Sequence, residues 1–207
     1  MNGMNLLSKT AARESAPWAA LLFLLVTPGV CAAQSASAAK PEAAPGGEAK
    51  ATTVFLVRHA EKADVPGSDP PLSEAGRARA EALARLLQSA GVKAVLTSQF
   101  QRTQQTAEPL AKRLGVAASA VPLAVKTSNP REVTEESIRE LTKRVEAHAG
   151  GAVLIVGHSN SVPEVIRALG GDVVPKIDEG SFDDLFVVTV YGDGRAKVAH
   201  LKYGGGN

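Results

Sequence analysis

The strongest constraint on the fold lies in residues 53–62, which read TVFLVRHAEK. The first five are apolar or β-branched, a composition typical of a strand that is buried on both faces of a parallel sheet. The chemistry then changes at once, because Arg58, His59 and Glu61 follow. In open α/β sheets, ligands bind beyond the carboxyl ends of the strands. This segment therefore predicts a buried strand that ends in a polar site.

The alternation of apolar runs and helical patterns continues along the chain. Further buried strands are predicted at residues 92–97 and 151–156, and polar residues again follow each of them. The predicted helices cover these segments: 73–90, a segment ending near 114–115, 132–149 and 162–169. A β-hairpin with an Asp-Gly turn is expected at residues 184–203. The pattern predicts an α/β fold, a three-layer α/β/α sandwich with a mostly parallel central sheet and the hairpin at its edge.

The helices are interpreted as scaffold and the long connections as loops. Ser73 is a predicted N-cap, and the first helix should bury Leu83, Leu86 and Leu87. The buried stripe of the third helix should be formed by three residues at helical spacing, namely Ile138, Leu141 and Val145. The arginines of the first helix are expected at its solvated surface: Arg77, Arg79 and Arg85. Residues 62–71 and 116–131 are predicted to be irregular, because prolines interrupt both segments.

The first 51 residues differ in composition from the rest of the chain. Residues 1–33 have basic residues, then a short apolar run, then Pro28 and small residues, which is the layout of a secretory signal cleaved near Ala32 or Ala33. An uncleaved anchor and a lipid attached at Cys31 are alternatives. Residues 34–51 predict a flexible linker. The globular domain then spans residues 52–207, and the expected location is the bacterial periplasm or the extracellular space.

Composition limits the partners that the domain can bind. Of 207 residues, 44% are hydrophobic and 21% charged, which is typical of a soluble globular protein. The formal net charge is +2 and no long run of one sign occurs, so neither a nucleic-acid partner nor stable membrane association after signal cleavage is expected. Cys31 is the only cysteine, so the mature domain has no disulfide.

Polar residues from three strand ends are expected to meet at one rim of the sheet, because the carboxyl ends of parallel strands share an edge. They are Arg58, His59, Arg102 and His158. Two arginines and two histidines form a cationic pocket that suits a phosphoryl group, whose oxygens match the forked donors of arginine. One neutral imidazole can attack phosphorus, and the other can help the arginines to neutralise the transition state.

Neither a metal nor another cofactor is implied by the sequence. The four histidines, at positions 59, 148, 158 and 200, lack the short spacing of zinc ligands, and no cluster of aspartates suggests a magnesium site. The expected partner is therefore a small phosphorylated substrate or a phosphoprotein.

Four segments together resemble the histidine phosphatase superfamily, also called phosphoglycerate mutase-like. They read LVRHAE at 56–61, PLSEAG at 71–76, TSQFQRTQQTA at 97–107 and VGHS at 156–159, and the resemblance covers residues 53–171. It implies that His59 is the nucleophile, that Arg58 and Arg102 bind the phosphoryl group, and that His158 completes the site. Asn160, in the same turn as His158, is a further candidate for phosphate binding.

The chain departs from the family pattern at three places. Ala60 replaces the usual glycine, Ser159 stands where acid phosphatases carry an aspartate, and residues 116–131 lack the acidic segment of the mutases. The proton donor to the leaving group is therefore unassigned, with Glu61 and Glu132 as candidates. An enzyme without a clear acid should favour good leaving groups, as in phosphohistidine or in acyl and aryl phosphates.

Two other functions are compatible with parts of the sequence. Ser159 lies between a strand and a helix, as in a nucleophile elbow, and Asp183 or Asp184 and then His200 follow in the order of a serine hydrolase. Ser161 replaces the second glycine of that motif, and Arg58 and His59 would then have no role. The second alternative is a non-catalytic module that binds phosphate or a phosphopeptide on the same fold.

Overall fold

The computed structural model describes residues 50–172 and 176–204. The predicted signal at 1–33 and nearly all of the predicted linker lie outside these residues, so the structure does not address them. None of the described helices combines the length and the apolar content that a membrane span requires.

The described residues form eight strands and four helices. The strands are β1 (Thr52–Arg58), β2 (Val92–Thr97), β3 (Ala118–Ala120), β4 (Val125–Lys126), β5 (Asn129–Val133), β6 (Ala152–Gly157), β7 (Asp184–Val190) and β8 (Ala196–Lys202). The helices are α1 (Glu74–Leu87), α2 (Gln101–Leu114), α3 (Glu135–Glu146) and α4 (Val162–Ala168).

Six of these strands form the central sheet, in the order β3-β2-β6-β1-β7-β8. Strands β3, β2, β6 and β1 run parallel, and the hairpin of β7 and β8 adds two antiparallel pairings. Arg58 pairs with Gly157, and Thr97 pairs with Val156, so β1, β2 and β6 end at the same edge. The prediction of a mostly parallel sheet with a C-terminal hairpin is confirmed.

Helices cover both faces of the sheet, as the buried strands require. On one face, α1 and α2 pack through Leu83, Leu87 and Leu110. On the other face, α3 and α4 contribute apolar residues at helical spacing, among them Ile138, Leu141, Val145, Val165 and Ile166. The predicted buried stripe of α3 and the three-layer sandwich are therefore confirmed.

The prediction of an irregular segment at residues 116–131 is wrong. Strand β3 pairs parallel with β2 at the edge of the sheet, and β4 and β5 form a separate two-stranded sheet. These strands are too short to show an alternating pattern, and Pro130 is tolerated because β5 pairs on one side only. Glu132 lies in β5 rather than in a helix, and α3 begins at Glu135.

Two helices end earlier than predicted. Helix α1 stops at Leu87 and α3 at Glu146, and turns then lead to Gly91 and Gly150. Both glycines have positive φ, 70° and 76°, so they mark the reversal of the chain after the helix rather than its last turn. Leu86, predicted to be buried, is 53% exposed.

The start of α1 is fastened to the segment that follows β1. Ser73 accepts a hydrogen bond from the amide of Gly76 (3.0 Å), and its own amide donates to the carbonyl of Glu61 (2.9 Å). A Cβ built on Gly76 would overlap the carbonyl oxygen of Glu61. Gly76 is therefore required by the close approach of two backbones, and this contact places α1 beside the end of β1.

Replacing Gly76 with alanine should lower the free energy of unfolding by about 2–3 kcal/mol, because the added methyl group must displace backbone atoms. Chemical denaturation measures the change. Gly180→Ala is the matched control, since a Cβ there meets nothing within 4 Å, and it should change stability by less than about 0.5 kcal/mol. Equal stability of the two variants would contradict this account of the contact.

Candidate active site

The four side chains predicted to share a rim come together at the carboxyl edge of the sheet. Arg58 is the last residue of β1, His59 follows it, and Arg102 is the second residue of α2. His158 follows β6, and its ring centroid lies 5.3 Å from that of His59, edge on. The structure thus joins residues from three separate strand ends into one cationic cluster.

His59 is held in one tautomer by its neighbour. Its Nδ1 lies 2.8 Å from the carbonyl oxygen of Ala60, and because that oxygen can only accept, Nδ1 must carry the proton. The lone pair of the neutral ring is therefore on Nε2. The backbone amide of His59 donates to the carbonyl of Gly157 (2.9 Å), which extends the pairing of β1 with β6 by one residue.

Ala60, which departs from the family pattern, fits the structure through its methyl group. That group is fully buried in a small cluster with Leu72 and Ala80. The amide of Ala60 donates to Oγ1 of Thr106 (2.9 Å), and the Thr106 hydroxyl donates to the carbonyl of Arg102 (2.7 Å). The turn that carries the nucleophile candidate is therefore tied to α2.

Arg58 is oriented by the loop before β7. Its Nη1 donates to three carbonyl oxygens of that loop, those of Asp178 (2.8 Å), Glu179 (2.7 Å) and Ser181 (3.2 Å). Its Nε is buried and has no hydrogen-bond partner among the described residues. The loop reaches the site because β7 runs antiparallel to β1 and so begins at the carboxyl edge.

Arg102 is held from the loop between β1 and α1. Its Nη1 lies 3.5 Å from Oδ1 of Asp69, and its side chain is 15% exposed. The Asp69 carboxylate also accepts from the amide of Gln101 at 3.0 and 3.2 Å, so it caps α2 in place of a local residue. The first amide of this helix is thus already bonded to a carboxylate of the chain.

A chain of hydroxyl groups positions the second histidine. Nε2 of His158 lies 2.9 Å from Oγ of Ser98, which lies 2.9 Å from Oγ1 of Thr103. The Thr103 hydroxyl donates to the carbonyl of Phe100 (2.8 Å). Ser98 and Thr103 were not among the residues predicted for the site. The available signal was the position of Ser98, which follows β2 directly.

Both imidazoles are neutral at neutral pH. Burial lowers the pKa of His59 to about 4, and the positive charges of Arg102 and Arg58 lower it further. The hydrogen bond to Ala60 acts in the opposite direction but is the weaker effect. Burial also lowers the pKa of His158 to about 3, with further contributions from His59 and Arg102. A neutral ring keeps the lone pair that nucleophilic attack needs.

The two candidate proton donors are both engaged as carboxylates. Nε of Arg79 donates to both oxygens of Glu61 (2.8 and 3.0 Å), so Arg79 is not the free surface residue that was predicted. Burial acts to raise the pKa of Glu61, but the hydrogen bonds and positive charge of Arg79, together with a backbone hydrogen bond, outweigh burial, and the pKa is lowered.

Glu132 binds the Lys126 ammonium group (2.8 Å) and the Asn129 amide (2.7 Å), and the hydrogen bond from Lys126 lowers the pKa of Glu132. Both glutamates are thus stabilised in the ionised form, which opposes the predicted role of each as a general acid.

Asn160 lies in the predicted turn, but its side chain points to another partner. Its Nδ2 donates to the carbonyl of Arg131 in β5 (3.0 Å), so one of the two protons of the amide that would bind a phosphoryl oxygen is already in use. This bond links the His158 turn to the β4–β5 hairpin. Together with α3 and α4, these elements line a cavity of about 850 Å³, whose lining includes Asn160 but neither histidine of the cluster.

The geometry opposes the serine hydrolase alternative. Nε2 of His200 lies 2.6 Å from Oδ1 of Asp184, and Asp183 binds Lys202. His200 lies in β8, which is three strands from β6, so a distance of about 14 Å separates these strands. No hydrogen bond between described residues joins Ser159 to His200 or to either aspartate.

The described residues contain no group of three or more histidine, cysteine, aspartate or glutamate side chains that could hold a metal ion. The expectation of metal-independent chemistry comes from the sequence and stays a prediction.

Comparisons with known proteins show which family part of the chain is similar to. The sequence model described as histidine phosphatase superfamily (branch 1) matches residues 54–124, a range that includes Arg58, His59 and Arg102 but not His158. A comparison with curated proteins finds no match.

Solved structures share the fold at low identity. The protein histidine phosphatase SixA, complexed with tungstate, aligns with a TM-score of 0.58 and 21% identity over 72% of this chain and 96% of that one. A mycobacterial glucosyl-3-phosphoglycerate phosphatase aligns at 0.57 and 17% identity, over 73% and 99% of the two chains. A phosphoglycerate mutase from Bacillus anthracis aligns at 0.58 and 17% identity, over 74% and 94%.

The neutral state of the two histidines is directly measurable by NMR titration. Because their pKa values are lowered, the His59 and His158 rings should stay neutral well below the ordinary value of 6.5 and gain protons only near pH 4 and pH 3. Arg102→Gln removes a positive charge beside both rings, so both pKa values should rise. Lys93→Gln, at the amino end of β2, is the control and should change neither. Titration of either wild-type ring near 6.5 would contradict the account.

Proposed function

We propose that this chain, whose residues 54–124 match the model of the histidine phosphatase superfamily (branch 1), is a metal-independent phosphatase whose nucleophile is His59. The proposed substrates are phosphomonoesters or phosphohistidine. One observation carries the proposal, namely a neutral imidazole whose Nε2 holds the lone pair, beside Arg58, whose buried Nε has no partner among the described residues. A phosphoryl oxygen would supply the acceptor that this Nε lacks.

In the first step, the lone pair on Nε2 of His59 attacks phosphorus. A nitrogen–phosphorus bond forms, and the bond from phosphorus to the leaving group breaks in line with it, so that the leaving group takes the electron pair. The imidazole gains positive charge in this step. The carbonyl of Ala60, which accepts from Nδ1, supports that charge and keeps the ring in its orientation.

The surrounding cations balance the charge of the phosphoryl oxygens. Arg58 and Arg102 offer guanidinium donors, and the Ser98 hydroxyl holds His158 beside the His59 ring. These groups are ordered by contacts within the protein, so they need little reorganisation when charge develops. In the second step, water attacks phosphorus, the nitrogen–phosphorus bond breaks and its electron pair returns to Nε2, and phosphate leaves with the two protons of the water.

The leaving group determines which substrates this site can process. Glu61 and Glu132 are both held as carboxylates, so neither supplies a proton readily. Substrates that leave well without protonation, such as phosphohistidine or acyl and aryl phosphates, therefore fit best. The structural neighbour named as a protein histidine phosphatase supports including phosphohistidine among the tested substrates.

The proposed location of the protein depends on the sequence alone. Residues 1–33 are proposed to direct export to the periplasm or the extracellular space, after which the domain acts without its signal.

The alternative of a non-catalytic module that binds phosphate shares the same cationic pocket, and it differs from a phosphatase only in lacking turnover.

The decisive measurement is phosphate release from para-nitrophenyl phosphate in excess chelator. Wild-type domain should release phosphate, and His59→Ala should reduce kcat by at least about 1,000-fold, because the covalent step loses its nucleophile. Ser159→Ala should retain most activity, which separates this mechanism from a serine hydrolase. Loss of phosphate release in the presence of chelator would contradict the metal-independent mechanism. Phosphate binding without turnover of this ester or of phosphohistidine would favour the binding module.

Replacing the two glutamates tests whether either one donates the proton. Glu61→Gln and Glu132→Gln should each lower kcat for para-nitrophenyl phosphate and for an alkyl phosphate by similar, small factors. A general acid would instead give a loss of about 100-fold or more that is confined to the alkyl phosphate, whose leaving group needs the proton. Glu81→Gln, in the exposed ion pair with Arg113, is the matched control for loss of a carboxylate.

A further inference from the structure

Two phenylalanines flank the histidine pair, and each one stacks on an arginine of the site. The Phe182 ring centroid lies 4.4 Å from Cζ of Arg58, and the Phe100 ring centroid lies 4.2 Å from Cζ of Arg102. We propose that these rings select substrates in which the phosphoryl group is attached to a planar aromatic group. The inference rests on the proposed phosphatase function and names the substrate class for it.

The four rings form a continuous row along the rim. Phe182 lies 6.1 Å from His59, the two histidines lie 5.3 Å apart, and Phe100 lies 5.4 Å from His158. A phosphoryl group bound at His59 would therefore have an aromatic ring on each side of the histidine pair. A flat leaving group can stack on such a ring or meet its edge, as aromatic pairs do in proteins.

Hydrogen bonds and an ion pair, in addition to stacking on the phenylalanine rings, already orient both arginines. Arg58 donates to three carbonyls of the loop at 178–181, and Arg102 lies against Asp69. Stacking is thus not needed to hold either guanidinium group in place. Both phenylalanines are only half-buried, so each keeps part of its apolar surface in contact with solvent at the rim. An aromatic leaving group would cover that surface.

The chemistry of such a leaving group matches the charges of the site. When the bond to phosphorus breaks, an aryl oxide takes the electron pair and spreads its negative charge over the ring, and an imidazole that already carries a proton on its other nitrogen leaves as the neutral ring. The departure then needs no proton in the transition state, which agrees with the ionised state of Glu61 and Glu132. The aromatic rim and the missing acid therefore point to the same substrate class.

The test compares two esters of similar leaving-group acidity, phenyl phosphate and hexafluoroisopropyl phosphate. Only the first is aromatic, so the ratio of their kcat/KM values measures recognition of the ring apart from leaving-group acidity. Phe100→Leu and Phe182→Leu should each lower this ratio by about 3–10-fold, the size of one aromatic contact. Phe100→Tyr and Phe182→Tyr keep the ring and should preserve the ratio.

Phe55→Leu is the matched control, because Phe55 is also half-buried but packs against the core on β1, and it should leave the ratio unchanged.

Equal losses on both esters in the leucine variants would show that the rings only support the arginines, and this would overturn the inference while leaving the phosphatase proposal intact. A wild-type ratio near one would also overturn it. No release from either ester, or from phosphoimidazole, would count against the proposed function itself. Relative rates on phenyl phosphate and phosphoimidazole separate phenol-type from histidine-type substrates.

Discussion

The parallel pairing of β1 with β6 is the constraint on which the site depends. It aligns Arg58 with Gly157 and continues for one more hydrogen bond, from the amide of His59 to the carbonyl of Gly157. The two histidines follow these paired residues, so the register of two buried strands sets the distance between their rings. A slip of one residue would turn the side chains of β1 to the opposite face and separate the pair. The packing of the apolar strands thus fixes their register and, with it, the positions of the polar side chains at their ends.

Burial and positive charge then act together on the residues at this edge. Both lower the pKa of each histidine, so the rings remain neutral in a pocket that attracts anions. Such a pocket would normally be costly, because charged groups lose water when they are buried. The cost is offset by backbone carbonyls, three of which accept from Arg58, and by the Asp69 carboxylate near Arg102. The loops that carry these acceptors are therefore part of the site, although they supply no nucleophile.

Much of this organisation was predictable from local patterns. The strand β1, the end of β2, the stripe of α3 and the hairpin of β7 and β8 each have apolar residues at a clear period. The short strands β3 to β5 were missed because two to five residues are too few to define a period. Phe182 was missed for a different reason. It precedes a strand that runs antiparallel to β1, and only the pairing of β7 with β1 brings its start to the active edge.

By itself, the sequence determined the fold class and the cluster of Arg58, His59, Arg102 and His158, because parallel strands bring their carboxyl ends to one edge whatever the details of packing. Only the tertiary structure decided the state of these groups. The tautomer of His59, the bond from His158 to Ser98 and the ionised state of Glu61 depend on the positions of particular atoms. The contact of Arg58 with the Asp178 carbonyl joins residues 120 positions apart. No local pattern encodes such a contact, because it exists only once the sheet has formed.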